Sequence, residues 1–371
     1  MTGALDLAYD LRYASDHFTG IGTQAHGLLT ALLAAPGDER WRVVVNPRLS
    51  YARRPIERFR THPRVRWVET DAPPLGWTTA LATGALLRHS GCAAYLSPFW
   101  LMPHRPRVPV VLTIHDLLPL LPDHPMSWWR RALFRRALAD ARGAGAILTV
   151  SRFSRDEIVR RTRIRGERVV VVPNGIAVDL VEPVRPPRAP DGPFALVVGV
   201  NRPHKNLATA AAAFAALPEP APALVSAGEE DSRWPGLAAL VPPGANAIAL
   251  GRVSGAELEW LYRHATVVLL PTRYEGFGLP LLEAAARGRP VVAADIPSLR
   301  EIGEGYARFV PPLEVVAWTR AIADAFADTA WRERARAEGP ALAARYDYAR
   351  CAERTLAVLR EVAASRAPRA A

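Results

Sequence analysis

Residues 196–207 read LVVGVNRPHKNL: an apolar run, a turn containing Gly199, Asn201 and Pro203, and the start of a helical pattern that continues through LATAAAAFAAL. An uninterrupted apolar run closed by a turn reads as a strand buried on both faces, because a half-buried strand would alternate with polar residues. Such strands, spaced by helices, build a parallel sheet covered on both sides. Towards the C-terminus, APALVSAG, NAIALG, ATVVLLPT and RPVVAAD supply further buried strands.

The first half of the chain has the same rhythm. ALDLAY (4–9) is a short strand, FTGIGTQ a loop, and AHGLLTALLAA a helix with Leu28, Leu29, Leu32 and Leu33 at helical spacing. RVVV, VPVVLTIHD, AILTV and RVVVVPNG then alternate with the helical stretches WWRRALFRRALADA and SRDEIVRRT. Between the halves lies VEPVRPPRAPDGP (181–193), whose five prolines exclude helix and central strand and read as an interdomain linker. At 371 residues the chain suits two cores. The expected class is therefore α/β, with Rossmann-like domains over 1–181 and 182–345. A helix in 346–371 is expected to pack back toward the N-terminal domain and end in a disordered tail.

Composition excludes several classes. Half the residues are hydrophobic and 22% are charged, as in globular chains. Runs such as AGAILTV fall far short of the roughly 18–20 apolar residues that span a bilayer. MTGALDLAYDLRY carries an early Asp and no signal-peptide pattern. Cys92 and Cys351 are too few for a disulfide framework or metal cluster, and read as buried fillers of a cytoplasmic protein. The net charge of +11 is uneven: residues 1–180 hold 25 Arg against 15 acidic residues. That balance suits an anionic partner, or solvated arginine-rich faces. No aromatic-basic RNA motif, zinc module or helix-turn-helix accompanies it, so nucleic acid is not the expected partner.

Two turns can carry chemistry. In PTRYEGFGLPLLEAAARGRPVV (271–292), Gly276 and Gly278 let backbone N–H groups and a helix N-terminus approach an anion. Glu275 and Glu283 flank that loop, and carboxylates there accept from hydroxyls rather than hold phosphates. A phosphate loop between carboxylates describes a site for a nucleotide-sugar diphosphate; a plain strand–turn–helix corner would have the same outline. The second turn holds the chain's one lysine among 47 basic residues, Lys205, with Arg202 beside it. An ammonium is a compact point charge where guanidinium is a planar fork. Its retention at a strand's carboxyl end suggests a tight site where a departing diphosphate gains charge.

Taken together, FTGIGT, IHDLLPLLP, VSRFSRDEIV, VVPNGI, VGVNRPHKN, GRVSGAELEWLYRHA and RYEGFGLPLLEAAARGRPVVAAD resemble a retaining GT-B glycosyltransferase of family 4, nearest to bacterial mannosyltransferase-like members. The resemblance covers nearly the whole chain in order. It implies two Rossmann-like domains facing each other across a cleft, a nucleotide-sugar donor gripped by the C-terminal half, and an acceptor presented by the N-terminal half. Gly20 and Gly22 match the glycine loop near the donor diphosphate and the acceptor. Lys205 matches the lysine on the donor phosphates. Arg202, where many members carry Lys or Glu, is assigned as a second phosphate contact, and His204 stands at an Arg/His position. Glu275 and Glu283 match the paired glutamates on the sugar and the ribose, and the backbone of Gly276, Phe277, Gly278 and Leu279 lines sugar and diphosphate. His115 matches a histidine that contacts the transferred sugar, with Asp116 on the acceptor side or serving as a cap. His115, Lys205 and Glu275 form the expected catalytic set. Asn174 and Gly175 are assigned to a tight turn that starts the hinge.

The chain has no Asp-x-Asp pair and no His/Cys grouping with ligand spacing, so no metal or other cofactor is expected. The resemblance favours GDP-mannose as donor and a glycan or lipid-linked acceptor, with UDP- or dTDP-sugars as alternatives. MSWWRRALFRRAL (126–138) sets Trp128, Trp129 and Phe134 beside four arginines. It reads either as an ordinary helix with Trp129 and Leu133 in the core, or as a peripheral contact with the inner face of the cytoplasmic membrane.

Overall fold

The computed structural model describes residues 4–122, 124–176 and 181–365. The chain divides into two compact units: residues up to Gly175 together with Asp347 onward, and Ile176–Tyr346.

The first unit is a seven-stranded parallel sheet of β1 (Asp6–Asp10), β2 (Arg40–Val45), β3 (Val65–Glu69), β4 (Ala94–Ser97), β5 (Val110–Thr113), β6 (Ala146–Thr149) and β7 (Val169–Val171), in the order β3-β2-β1-β4-β5-β6-β7. Successive side chains of a strand point to opposite faces, and both faces are buried here. Leu7, Tyr9 and Val111 join the core under helices Gly20–Ala34 and Tyr348–Ala364, while Ala8, Val110 and Leu112 join the core under Trp77–Arg88, Trp128–Ala141 and Arg152–Arg161. That is why the central strands read as continuous apolar runs. The edge strand β3 alternates charge with half-buried apolar residues, VRWVE, and escaped the apolar pattern, as did β4 (AYLS), where Tyr95 and Ser97 interrupt the aliphatic run.

The last helix, Tyr348–Ala364, belongs to this first unit. It buries Cys351, Ala352, Leu356 and Leu359 against helix Gly20–Ala34, and Arg360 pairs with Glu39. Both cysteines are buried free thiols, and burial raises Cys351 to about 11. The expected disordered tail falls on residues 366–371, outside the described residues.

The second unit is a six-stranded parallel sheet of β8 (Phe194–Val198), β9 (Ala223–Ala227), β10 (Ala247–Ala249), β11 (Val267–Leu270), β12 (Val291–Ala294) and β13 (Arg308–Val310), in the order β10-β9-β8-β11-β12-β13. The proline-rich segment differs from expectation. The chain changes unit at 175/176, and 181–193 lies on the second unit. Val184 N–H donates to the Ala256 carbonyl at 3.1 Å, and the Arg185 guanidinium sits 5.7 Å from the Trp260 ring centroid. Prolines lack ladder donors but pack well as an extended strap. Gly175 is demanded by contact: a Cβ there would lie 2.7 Å from the Tyr348 Cα.

Candidate active site

Each sheet reverses its strand order once, between β1 and β4 and between β8 and β11. Ligands of such sheets bind outside the carboxyl ends of the strands at that reversal.

In the second unit the turn after β8 and the turn after β11 flank the reversal. Gly199 has φ +136°, which frees the chain to turn sharply out of β8, and the Lys205 stem passes over it, 3.6 Å from where a Cβ would stand. After the short turn Pro203–Lys205, Asn206 takes the left-handed conformation (φ 55°) and helix Leu207–Ala215 begins. Asn206 forms no side-chain cap of that helix. Its amide donates to the carbonyls of Pro271 at 2.9 Å and Pro312 at 2.7 Å, tying the β8 turn to the β11 turn. The His204 carbonyl accepts from Arg273 N–H at 2.7 Å and from the Thr272 hydroxyl at 2.9 Å. These bonds hold Lys205 Nζ in an ion pair with Glu275 Oε1. Both side chains are mostly shielded, 24% and 17% exposed, so their charges act in a medium that screens less than water. A concavity of about 30 Å³ lies here, lined by Gly199, Asn201, Lys205, Ser226, Thr272 and Glu275 among others.

Beyond Glu275, Gly276 and Phe277 are buried, and Phe277 packs edge-on against Tyr346. Gly278 has φ +110°, and a Cβ there would lie 2.4 Å from Leu299 Cδ2, so only glycine fits. The helix begins at Leu279, and Glu283 falls in its second turn rather than its first. There Glu283 accepts from the Tyr262 hydroxyl at 2.6 Å. Burial, with the Glu283 charge adding to it, holds Tyr262 well above its ordinary value, so it remains a donor. Arg202 is exposed and is not part of the concavity's lining; its charge helps Arg233, the stronger influence, to hold Asp231 at about 2. The structure therefore brings Lys205 and Glu275 together, sets Glu283 on the following helix, and leaves Arg202 at the rim.

In the first unit the expected glycine loop is helix. Helix Gly20–Ala34 starts five residues earlier than its apolar pattern, with Gly20 and Gly22 in its first turn. Gly22 is covered by Arg54: a Cβ would fall 2.5 Å from its guanidinium nitrogen. Arg54 also donates to the carbonyls of Ala14 and Ser15, each at 3.0 Å, and of Phe18, so it ties down the loop after β1. Gly20 is exposed, with open space around its Cα. Phe99, just beyond β4, stacks on Tyr13 at 4.9 Å and meets Phe18 at 6.0 Å, packing the loops after β1 and β4 together.

His115 follows β5, with Nε2 3.1 Å from the Pro98 carbonyl. A carbonyl only accepts, so the Nε2 proton is fixed there and Nδ1 is left as an acceptor. Burial lowers the imidazole to about 4, against the weaker opposing effect of that bond, so it is neutral at ordinary pH. Asp116 accepts from Leu118 N–H at 2.9 Å, as a turn cap does. Among the described residues, no three His, Cys, Asp or Glu side chains are grouped to hold a metal ion.

Asn206, Tyr262 and Arg54 escaped the sequence reading. Asn206 looks like a routine N-cap, and the other two act on partners more than twenty residues away.

Two family descriptions match the chain in succession: Glycosyltransferase Family 4 over residues 18–180 and Glycosyl transferases group 1 over 182–341. O-antigen chain mannosyltransferase B of Escherichia coli is 31% identical over 289 residues, which are 71% of this chain and 72% of that protein. The chain belongs to the family 4 glycosyltransferases. Another relative of this glycosyltransferase, O-antigen chain mannosyltransferase RfbU of Salmonella typhimurium, is 27% identical over 57% of this chain and 59% of its own. Sucrose-phosphate synthase from Thermosynechococcus elongatus shares its fold, with a TM-score of 0.75 at 21% identity over 97% of this chain and 100% of the other. The fold is thus the expected GT-B type, and the enzyme transfers glycosyl groups.

Proposed function

We propose that this glycosyltransferase moves mannose from GDP-mannose to a hydroxyl of a glycan or lipid-linked acceptor in cell-surface polysaccharide synthesis, with retention at the anomeric carbon. The Lys205–Glu275 pair at the strand reversal carries the reading, and mannosyl transfer is the activity named for both relatives above. Lys205 meets the charge that develops on the departing diphosphate, and the N-terminus of helix Leu279–Ala286 adds backbone donors. Glu275 accepts from sugar hydroxyls once the diphosphate takes over its partner. Glu283, oriented by Tyr262, accepts from the ribose. Neutral His115 offers Nδ1 to a hydroxyl of the transferred sugar, and the backbone at Gly20 approaches the diphosphate. Arg202 is a peripheral phosphate contact. No metal is assigned a role in this scheme. Two buried thiols suit a reducing cytoplasm.

The test adds GDP-, UDP- and dTDP-sugars to the purified protein without metal, reading saturation-transfer NMR and slow donor hydrolysis. Selective binding and hydrolysis of GDP-mannose, lost in Lys205→Ala, is expected. Hydrolysis of a UDP- or dTDP-sugar instead would replace the donor, and no donor binding at all would overturn the reading.

A further inference from the structure

Residues 130–168 hold 12 arginines against four acidic residues, most of the net charge of the whole chain. The structure gathers part of this excess around one concavity. Between the second half of helix Trp128–Ala141 and the end of helix Arg152–Arg161 lies a basin of about 520 Å³ lined by Arg135, Arg142, Arg160, Arg161 and Arg163. Among the described residues one carboxylate serves them: Glu157 pairs with both Arg160 and Arg161. Helix C-termini favour basic residues, which accounts for Arg142, Arg160 and Arg161. It does not account for Arg135 and Arg163, which have no ionic partner among the described residues. A smaller hollow of about 220 Å³ shares Arg142 and Arg163 and adds Arg165 and Arg168.

The same helix departs from the core-packing alternative. Phe134, Leu138 and Ala141 are its buried residues, whereas Trp128, Leu133 and Trp129 are 83%, 61% and 47% exposed. Arg130 stacks its guanidinium 5.0 Å from the Trp129 ring centroid, which keeps that ring beside a cation at the surface. Trp128, Trp129 and Leu133 lie within a turn and a half of one another, ahead of the basin on the same helix. Two indoles and an isobutyl group in water, next to guanidiniums that lack counter-charges, suit a medium that is apolar below and phosphate-bearing above.

We propose that helix Trp128–Ala141 and the adjoining arginine basin form a docking surface for an anionic lipid bilayer, with lipid phosphates in the basin and Trp128, Trp129 and Leu133 in the interfacial layer. Among the described residues no helix is long and apolar enough to cross a membrane, so this attachment is lateral and reversible. It rests on this unit alone and is independent of which sugar is transferred.

The test measures co-flotation of the full chain with vesicles of phosphatidylcholine, with and without phosphatidylglycerol, and quenching of its fluorescence by bromine-labelled lipid. Binding to the anionic vesicles that weakens with salt is expected, together with quenching. Arg135→Ala/Arg163→Ala should weaken partition roughly 30-fold, at about a fivefold loss for each arginine near the surface. Trp128→Ala/Leu133→Ala should reduce quenching, with Trp129 left to report the remainder, while leaving the salt dependence. All four side chains are exposed, and circular dichroism with thermal melting checks the fold. Lys205→Ala should bind the vesicles like wild type, which separates this result from any failure of the donor assignment. Equal flotation with neutral and anionic vesicles, no flotation, displacement by millimolar inorganic phosphate, or tighter binding to a single-stranded oligonucleotide lost in the same arginine variant would each overturn the proposal.

Discussion

The rims of the two sheets are built by opposite means. In the second unit, side-chain amides and hydroxyls reach across from one turn to the next, and Asn206 and Thr272 leave the Lys205–Glu275 pair little room to move. In the first unit, rings do the joining: Tyr13, Phe18 and Phe99 pack the loops together, and the polar residue at the strand end, His115, is neutral. Directional bonds hold charges to a geometry, which a site for a diphosphate requires. Ring packing excludes water but is less directional, and can tolerate varied partners. Under the proposed function, the difference would suit a fixed grip on the donor and a more adaptable hold on the acceptor.

The sharpest way to break this comparison is to remove the charge. Lys205→Ala should lower turnover by roughly 10²–10³, the scale of losing one charge-stabilising group, while Lys205→Arg should restore only part of it. Near-normal kcat in a folded Lys205→Ala protein would put the donor grip elsewhere. A smaller effect is expected from Asn206→Ala, which strands two carbonyls and places alanine in a left-handed conformation. Urea denaturation should show a loss of about 1–3 kcal/mol, and Asn206→Gly, which keeps the backbone, should recover a part. If Asn206→Ala matched wild type in stability and donor KM, the polar tie would not be what organises this rim.

Tyr262→Phe should raise the donor KM several-fold with kcat little changed, because it loosens Glu283 without touching the diphosphate. An effect on kcat alone would move Glu283 toward the reacting centre. The last effect concerns pH. The His115 imidazole is lowered from 6.5 to about 4, so between those values the unfolded chain binds a proton that the folded chain does not. Acidification from pH 6.5 towards 4 therefore destabilises the fold, by at most about 1.4 kcal/mol per unit. His115→Gln should flatten that part of the stability–pH curve; an unchanged slope would mean that His115 is solvated.

Much of the fold could be read directly. Apolar runs such as FALVV and AILT mark strands buried on both faces, and their spacing by helices implies two parallel sheets. Glycines and the single lysine marked the two turns of the second unit that the structure brings together. The reading failed where distant groups decide. The proline-rich strap looked like a linker because composition shows what a segment cannot form, not what it lies against. Gly20 and Gly22 looked like a loop because glycine is a poor helix former, and the Arg54 side chain that covers Gly22 and ties down the preceding loop comes from more than thirty residues away. Trp129 and Leu133 fit a core stripe by spacing alone, yet the sheet takes up the face presenting Phe134 and Leu138.

By itself, then, the sequence determined the α/β class, the two-fold repetition of the sheet, the family, and the neighbourhood of Lys205 and Glu275. These follow from local periodicity and from residue types at turns, which act over a few residues. Only the tertiary structure decided which partners those residues meet: that Asn206 bridges two turns, that Tyr262 orients Glu283, and that arginines from two helices surround one basin. Such contacts join groups far apart in the chain, and the packing of helices on sheets, not the local sequence, brings them together.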